Sequence, residues 1–162
     1  MTFEKIYQTN YQGLYRFAYQ LTRSDQESKD LVQDVFLRFH EQQKRVTNTK
    51  SWLYKVLYNS FLTMKSQADR HRNIENQIRN IQSGIIDPHE EYDKSELRNI
   101  IFTAISSMPE KDSALLLLYY NGLKYSEIAE ILEIHPNSIG KILARSVKQF
   151  VEKLKREYHE ML

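Results

Sequence analysis

The stretch Leu123-Lys-Tyr-Ser-Glu-Ile-Ala-Glu-Ile-Leu132, the break Glu133-Ile-His-Pro136 and the run Asn137-Ser-Ile-Gly-Lys-Ile-Leu-Ala-Arg145 decide the fold of this chain. Pro136 has no amide hydrogen and a fixed φ, so it cannot continue the first helix and suits the first turn of the next. Ala129 is small where two short helices would cross closely, and Ile128, Ile131, Leu132 and Ile134 bracket it with apolar surface that must be buried. Downstream, Ile139, Ile142, Leu143, Val147, Phe150, Val151 and Leu154 keep the three-and-four spacing of one helical stripe. The other side keeps Asn137, Ser138, Lys141, Ala144, Arg145 and Lys148. From Ser138 to Arg156 six basic residues stand against the single acid Glu152. The pattern predicts a helix-turn-helix whose second helix is cationic along one edge, a shape that fits the major groove of B-DNA. A basic amphipathic helix is often no more than a solvated one. The turn, the small crossing residue and the one-sided charge together favour binding of duplex DNA.

Charge is segregated along the chain far more than its net value of +2 suggests. Between Lys44 and Arg72 seven Lys or Arg face only Asp69, whereas Glu75 to Glu96 holds six acids against Arg79 and Lys94. The order is basic, acidic, basic. At 162 residues the chain is long enough for two small cores of about 70 residues each. Glycine and proline are sparse, with four and three copies, and fall mostly where helices should stop; strand patterns are almost absent. The expectation is an all-α protein: a bundle over residues 1–76, a flexible acidic linker over 77–91 and a second bundle with the helix-turn-helix over 92–162.

Three helices are legible in the first bundle. Phe3, Ile6, Tyr7, Tyr11, Leu14, Tyr15, Ala18 and Leu21 form one stripe ending near Arg23, and Ser24 with Glu27 marks the capped start of a second helix. That helix turns Leu31, Val32, Val35, Phe36 and Phe39 inward; a third, from near Lys50, turns in Trp52, Leu53, Val56, Leu57, Phe61 and Met64. Two features depart from plain core patterning. The outward row Asp30, Asp34, Leu37 and Glu41, with Gln33 beside it, sets an apolar knob among acids, which suits a basic partner helix. The polar loop Lys44-Arg-Val-Thr-Asn-Thr-Lys50 runs into Trp52, Tyr54 and Tyr58, and cations interleaved with aromatic faces suit single-stranded nucleic acid. For each the bland alternative is a solvated helix face or a core aromatic.

Other classes find little support. No cysteine is present, so neither disulfides nor a thiolate zinc site is available. The five histidines, at 40, 71, 89, 135 and 159, lack ligand spacing, and there is no glycine-rich phosphate loop or nucleophile motif. The expectation is a non-enzymatic protein with no cofactor and no metal. No apolar run approaches the roughly 20 residues that span a bilayer, and the first residues lack a basic-then-apolar signal, so a cytoplasmic protein without membrane insertion is expected.

The run Asp30-Leu-Val-Gln-Asp-Val-Phe-Leu-Arg-Phe39, then Trp52-Leu-Tyr-Lys-Val with Asn59, then Met108-Pro-Glu-Lys and Gly122-Leu-Lys-Tyr-Ser-Glu-Ile-Ala-Glu-Ile-Leu132 resembles the bacterial sigma factors of the extracytoplasmic-function group, over nearly the whole chain and in the same order. The resemblance implies a transcription initiation factor that binds core RNA polymerase through its β′ clamp helices and β flap and directs it to promoters. It places Asp30, Gln33, Asp34, Leu37, Arg38 and Glu41 at the polymerase. It places Lys44, Arg45, Thr47, Asn48, Thr49, Lys50, Trp52, Lys55 and Asn59 at the melted minus-ten element. It places Asn137, Ser138, Gly140, Lys141, Ala144, Arg145 and Lys148 at the minus-thirty-five duplex. Members are commonly held inactive by an anti-sigma protein, which joins the expected partners. The chain departs from the pattern where His135 takes the cap of the recognition helix and where Gly140, Ile142 and Ala144 stand for longer side chains, which weakens the expected grip on the duplex. The alternative is a stand-alone dimeric helix-turn-helix regulator, which would need neither the acidic row nor the basic loop.

Overall fold

The computed structural model describes residues 2–79 and 95–160, with the side chains of 72–79 and 95 left aside; those residues form seven α-helices and two short 3-10 turns. Helix α1 spans Phe3–Thr22, α2 Asp25–Gln42 and α3 Thr49–Arg79; α4 spans Ser95–Ser106, α5 Glu110–Tyr120, α6 Tyr125–Leu132 and α7 Ile139–Glu160. Helix α3 therefore runs three residues into the expected linker, and the remainder of that linker lies outside the described residues.

Local chemistry sets the helix ends. Thr2 caps α1, its hydroxyl oxygen accepting the Lys5 amide at 3.3 Å, and Ser24 caps α2 by accepting the Glu27 amide at 3.2 Å. Between them Arg23 turns the chain in the left-handed region, at φ 52°. Asn48 caps α3: its side-chain oxygen accepts the Ser51 amide at 3.3 Å. Where α1 meets α2, Tyr15 donates to Asp25, which also pairs with Lys29 at 2.9 Å. That bond to Asp25 pushes the Tyr15 phenol up to about 12 and, acting on Asp25 in return, holds its carboxyl below the usual carboxylate range.

The first bundle packs α1, α2 and α3 around Leu14, Phe17, Val32, Val35, Phe39, Leu53 and Leu57, all essentially inaccessible to solvent. The second packs α4 to α7 around Ala104, Leu115, Leu118, Ile128 and Ile139. The expected stripe on α7 is rotated. Val147 and Val151 are 42% and 40% exposed, and Ser146, absent from the expected stripe, is fully buried. The inward row is Ile139, Leu143, Ser146, Phe150 and Leu154, because a small residue at 146 lets α4 and α5 close on α7.

The two bundles lie against each other. Helix α3 carries two stripes: Leu53, Leu57, Phe61 and Met64 face α1 and α2, while Ser51, Tyr54, Tyr58, Leu62 and Lys65 run about a quarter-turn away along the side met by α5 and α6. Ser51 donates to Glu130 at 3.3 Å, Asn121 donates to Gln20 at 2.8 Å, and Lys65 lies 3.7 Å from Glu110. The Arg23 guanidinium stands 4.9 Å above the Phe102 ring. Within the first bundle α1 approaches Tyr54 at Gly13, where a Cβ would fall 2.6 Å from the hydroxyl and force the ring to shift. Helix α6 makes the main contact with the first bundle, on α3, while α5, apolar on nearly every side from Ala114 to Leu118, packs within the second bundle and touches α1.

Candidate functional site

Helix α2 turns Asp30, Gln33, Leu37, Arg38 and Glu41 to solvent, with Asp34 half-buried. Leu37 is 62% exposed and is not core. Gln26 donates to Asp30 at 2.9 Å and Arg38 pairs with Asp34 at 3.1 Å, so the row is ordered along its own helix. Leu37 forms one lip of a groove of about 580 Å³ whose floor is Phe3, Tyr7 and Phe36, with Gln33, Lys29 and His40 at the rim. The knob therefore belongs to a wider apolar surface that includes α1, a feature the α2 pattern alone does not reveal. The second bundle leaves this face open.

The basic loop is a 3-10 turn, Gln43–Arg45, leading through Val46 into α3. Lys44, Arg45, Thr47, Asn48 and Asn59 are exposed; Thr49, Lys50, Trp52 and Lys55 are half-buried. The Trp52 ring packs 5.7 Å from that of Phe39, which leaves part of the indole accessible. Asn48 also caps α3. Tyr54 and Tyr58 do not join this surface, contrary to expectation: they are 3% and 4% exposed and line the seam between the bundles. Burial pushes both phenols up to about 12; at Tyr54 the Arg16 charge opposes it and Glu127 adds a smaller push, and at Tyr58 Glu110 adds to it.

The helix-turn-helix forms as its sequence dictates. The Lys124 amide donates to Glu127 at 3.0 Å at the start of α6, and the helix ends with Glu133 in the left-handed region at φ 56°. The Ile134 amide returns to the Ala129 carbonyl at 3.0 Å. His135 takes the cap position, its Nδ1 accepting the Asn137 amide at 3.2 Å, and Pro136 opens a 3-10 turn, Pro136–Ser138, that leads into α7. Asn137, Gly140, Lys141, Ala144, Arg145 and Lys148 face solvent and Ser138 is half-buried, so all seven lie along one edge. Arg145 is not free: it reaches Asp112 of α5 with N···O distances of 3.2 and 3.5 Å. Beside Gly140 stands Tyr125, itself 46% exposed, whose Cε2 lies 3.8 Å from the place a Cβ would occupy. Sequence spacing did not single out Tyr125 or Asp112.

Among the described residues no cluster of His, Asp and Glu has the make-up of a metal site, and no helix is long and apolar enough to cross a membrane. The arrangement thus presents three surfaces: an apolar-acidic face on α2, a cationic loop beside a partly open indole, and a helix, α7, with a basic edge. These are the attributes of a two-part helical transcription protein. Residues 6–71 match the family description Sigma-70 region 2 and residues 98–150 match Sigma-70, region 4. The chain belongs to the sigma-70 family, in its extracytoplasmic-function group. It is 25% identical over 151 residues to the ECF RNA polymerase sigma factor SigM of Bacillus subtilis, covering 90% of this chain and 91% of that protein. It is 27% identical over 152 residues to the ECF sigma factor SigE of Mycolicibacterium smegmatis, a longer protein, covering 91% of this chain and 59% of that one. A solved structure of the sigma factor RpoE of Bartonella quintana, in complex with the anti-sigma factor NepR, shares the fold with a TM-score of 0.71 at 24% identity over 94% of this chain and 96% of that one.

Proposed function

We infer that this chain is a transcription initiation factor that binds core RNA polymerase and promoter DNA in the cytoplasm, contributing recognition and leaving the chemistry of RNA synthesis to the polymerase. The observation that carries this reading is the presence, in one sigma-70-family chain, of an outward apolar-acidic face on α2 and an outward basic edge on α7. A factor that bound duplex alone would have use for the second only.

The roles follow from the surfaces. Residues 2–79 are the polymerase-binding and minus-ten unit: Asp30, Gln33, Asp34, Leu37, Arg38 and Glu41 dock on the β′ clamp helices, the groove beside Leu37 receiving apolar side chains and the acids choosing a basic partner. Lys44, Arg45, Thr47, Asn48, Thr49, Lys50, Trp52, Lys55 and Asn59 hold the unpaired strand by charge, by amide hydrogen bonds and by the accessible part of the indole. Residues 95–160 hold the minus-thirty-five duplex, with Lys141, Arg145 and Lys148 at phosphates and base edges and Asn137 and Ser138 at the mouth of the groove. Gly140 and Ala144 supply close approach rather than hydrogen bonds. An anti-sigma protein is a candidate partner for the same surfaces.

Run-off transcription with core polymerase and genomic fragments tests the whole. Defined transcripts that require this protein are the expected result. Identical start sites with and without it defeat the reading.

A further inference from the structure

Asp112 is a buried charge with one outlet. It is the third residue of α5, its side chain is 9% exposed, and among the described residues its hydrogen-bond partner is the guanidinium of Arg145 on α7. A carboxylate this well hidden is costly unless a cation answers it. Its own backbone is fixed, because α5 packs on α7. The pair therefore constrains the long arginine side chain far more than the short aspartate.

Arg145 stands at the opposite extreme of exposure. Its side chain is 59% exposed and lies on the basic edge of α7 between Lys141 and Lys148, about one turn away on either side. An arginine on such an edge samples many rotamers, and ordering it on DNA costs entropy. Here the ordering is done before DNA arrives. Both contacts to Asp112, at 3.2 and 3.5 Å, come from the single nitrogen Nη2. A guanidinium has five N–H donors, so those of Nε and Nη1 are left uncommitted by the pair. Lys141 and Lys148 are exposed point charges suited to phosphates, whereas a planar guanidinium held in one direction suits acceptors on a base edge, such as O6 and N7 of guanine. Phosphate contacts set register and carry no sequence information. With Gly140 and Ala144 short, discrimination along this edge falls on the one cation whose direction is set.

We propose that Asp112 is a positioning residue for duplex recognition: its buried carboxylate holds Arg145 in the orientation from which that guanidinium reads one base pair of the minus-thirty-five element. The proposal rests on the initiation-factor reading given above. Asp112 touches no DNA and acts only through Arg145.

The test uses the full chain with core polymerase on a promoter found by run-off transcription, together with single-base variants of that promoter across the minus-thirty-five element. The parent should prefer the native pair at one position by about tenfold, and Arg145→Ala should lose that preference. Asp112→Asn, which keeps the shape and removes the charge, should lose at least about fivefold at the same position. It should keep the salt dependence that Arg145→Ala lessens by about one ion, since the arginine charge is still present. Added to Arg145→Ala, it should change selectivity no further. Full discrimination in Asp112→Asn or in Arg145→Ala overturns the proposal, and so does a loss spread evenly over all positions, which marks a weakened fold instead. A parent chain that directs no transcription defeats the initiation-factor reading, and the assignment falls with it. A measurement on the unaltered chain decides the tether even if Asp112→Asn does not fold. Hindered rotation of the Arg145 guanidinium, seen by NMR as separate Nη hydrogens, is expected; rotation as free as in an unstructured peptide overturns the proposal.

Discussion

Gly13 shows how much a single hydrogen atom in place of a methyl group can decide. A Cβ there would stand 2.6 Å from the Tyr54 hydroxyl, and the ring, only 3% exposed and packed 5.4 Å from Phe17, must shift within a buried environment to make room. Gly13→Ala should therefore destabilise the chain by about 1 to 3 kcal/mol despite the better helix propensity of alanine. Thermal unfolding measures it, and adding Tyr54→Phe should recover part of the loss by removing the clashing oxygen. Arg145 is a second residue with two duties. Its guanidinium faces the basic edge of α7 yet satisfies Asp112, whose side chain is only 9% exposed. Arg145→Ala should weaken duplex binding by about 1 to 3 kcal/mol and lessen the salt dependence by about one ion. It should also lower stability, since Asp112 then keeps a half-hidden charge without a partner. Equal stability of the variant and the parent in urea unfolding would show that water serves Asp112 as well as the guanidinium does.

Among the elements, α7 and α2 carry the clearest expectations. Gly140 is exposed, and a methyl group there would meet only the Tyr125 ring at an ordinary 3.8 Å, so Gly140→Ala should stabilise the helix by about 1 kcal/mol. For a chain of this size that corresponds to a rise of about 2 to 4 °C in Tm, read by circular dichroism. On α2, Leu37→Glu should abolish association with core polymerase on a sizing column while leaving helix content unchanged, because a side chain 62% exposed contributes little to the core. The elements were legible in the sequence where one stripe sufficed: α1, α2 and the helix-turn-helix begin and end near where caps, Pro136 and apolar spacing predict. Legibility failed where a helix serves two neighbours. On α3 the stripe Leu53, Leu57, Phe61 is aliphatic and aromatic and announces a core, whereas Ser51, Tyr54, Tyr58 and Lys65 read as polar or nucleic-acid facing until α5 and α6 are seen against them. On α7 the same limit appears in reverse: valines at 147 and 151 look like core, but a serine at 146 gives the closer approach.

For the molecule as a whole, the seam ties stability to alkaline pH. Tyr54 and Tyr58 are both pushed up to about 12, mainly by burial, and an unfolded tyrosine ionises near 10. Below about pH 10 both states keep the phenols protonated and the contribution is intact; between about 10 and 12 the unfolded chain loses its protons first, so folding stability falls as pH rises through that window. Tyr15 also titrates near 12, but through its bond to Asp25 on the first bundle rather than through the seam. Tyrosinate absorbance should therefore show a late-ionising group of phenols among the 11 in the chain. Tyr58→Phe should remove a seam member of that group, and Asp25→Asn should bring Tyr15 forward while leaving Tyr54 and Tyr58 late. Reversing charge at Glu110, whose carboxylate adds to the raised Tyr58, should advance Tyr58 and leave Tyr15 where it was. A titration in which all phenols ionise together near 10 would mean that the two bundles do not bury these rings against each other in solution, and the alkaline loss of stability would vanish with them.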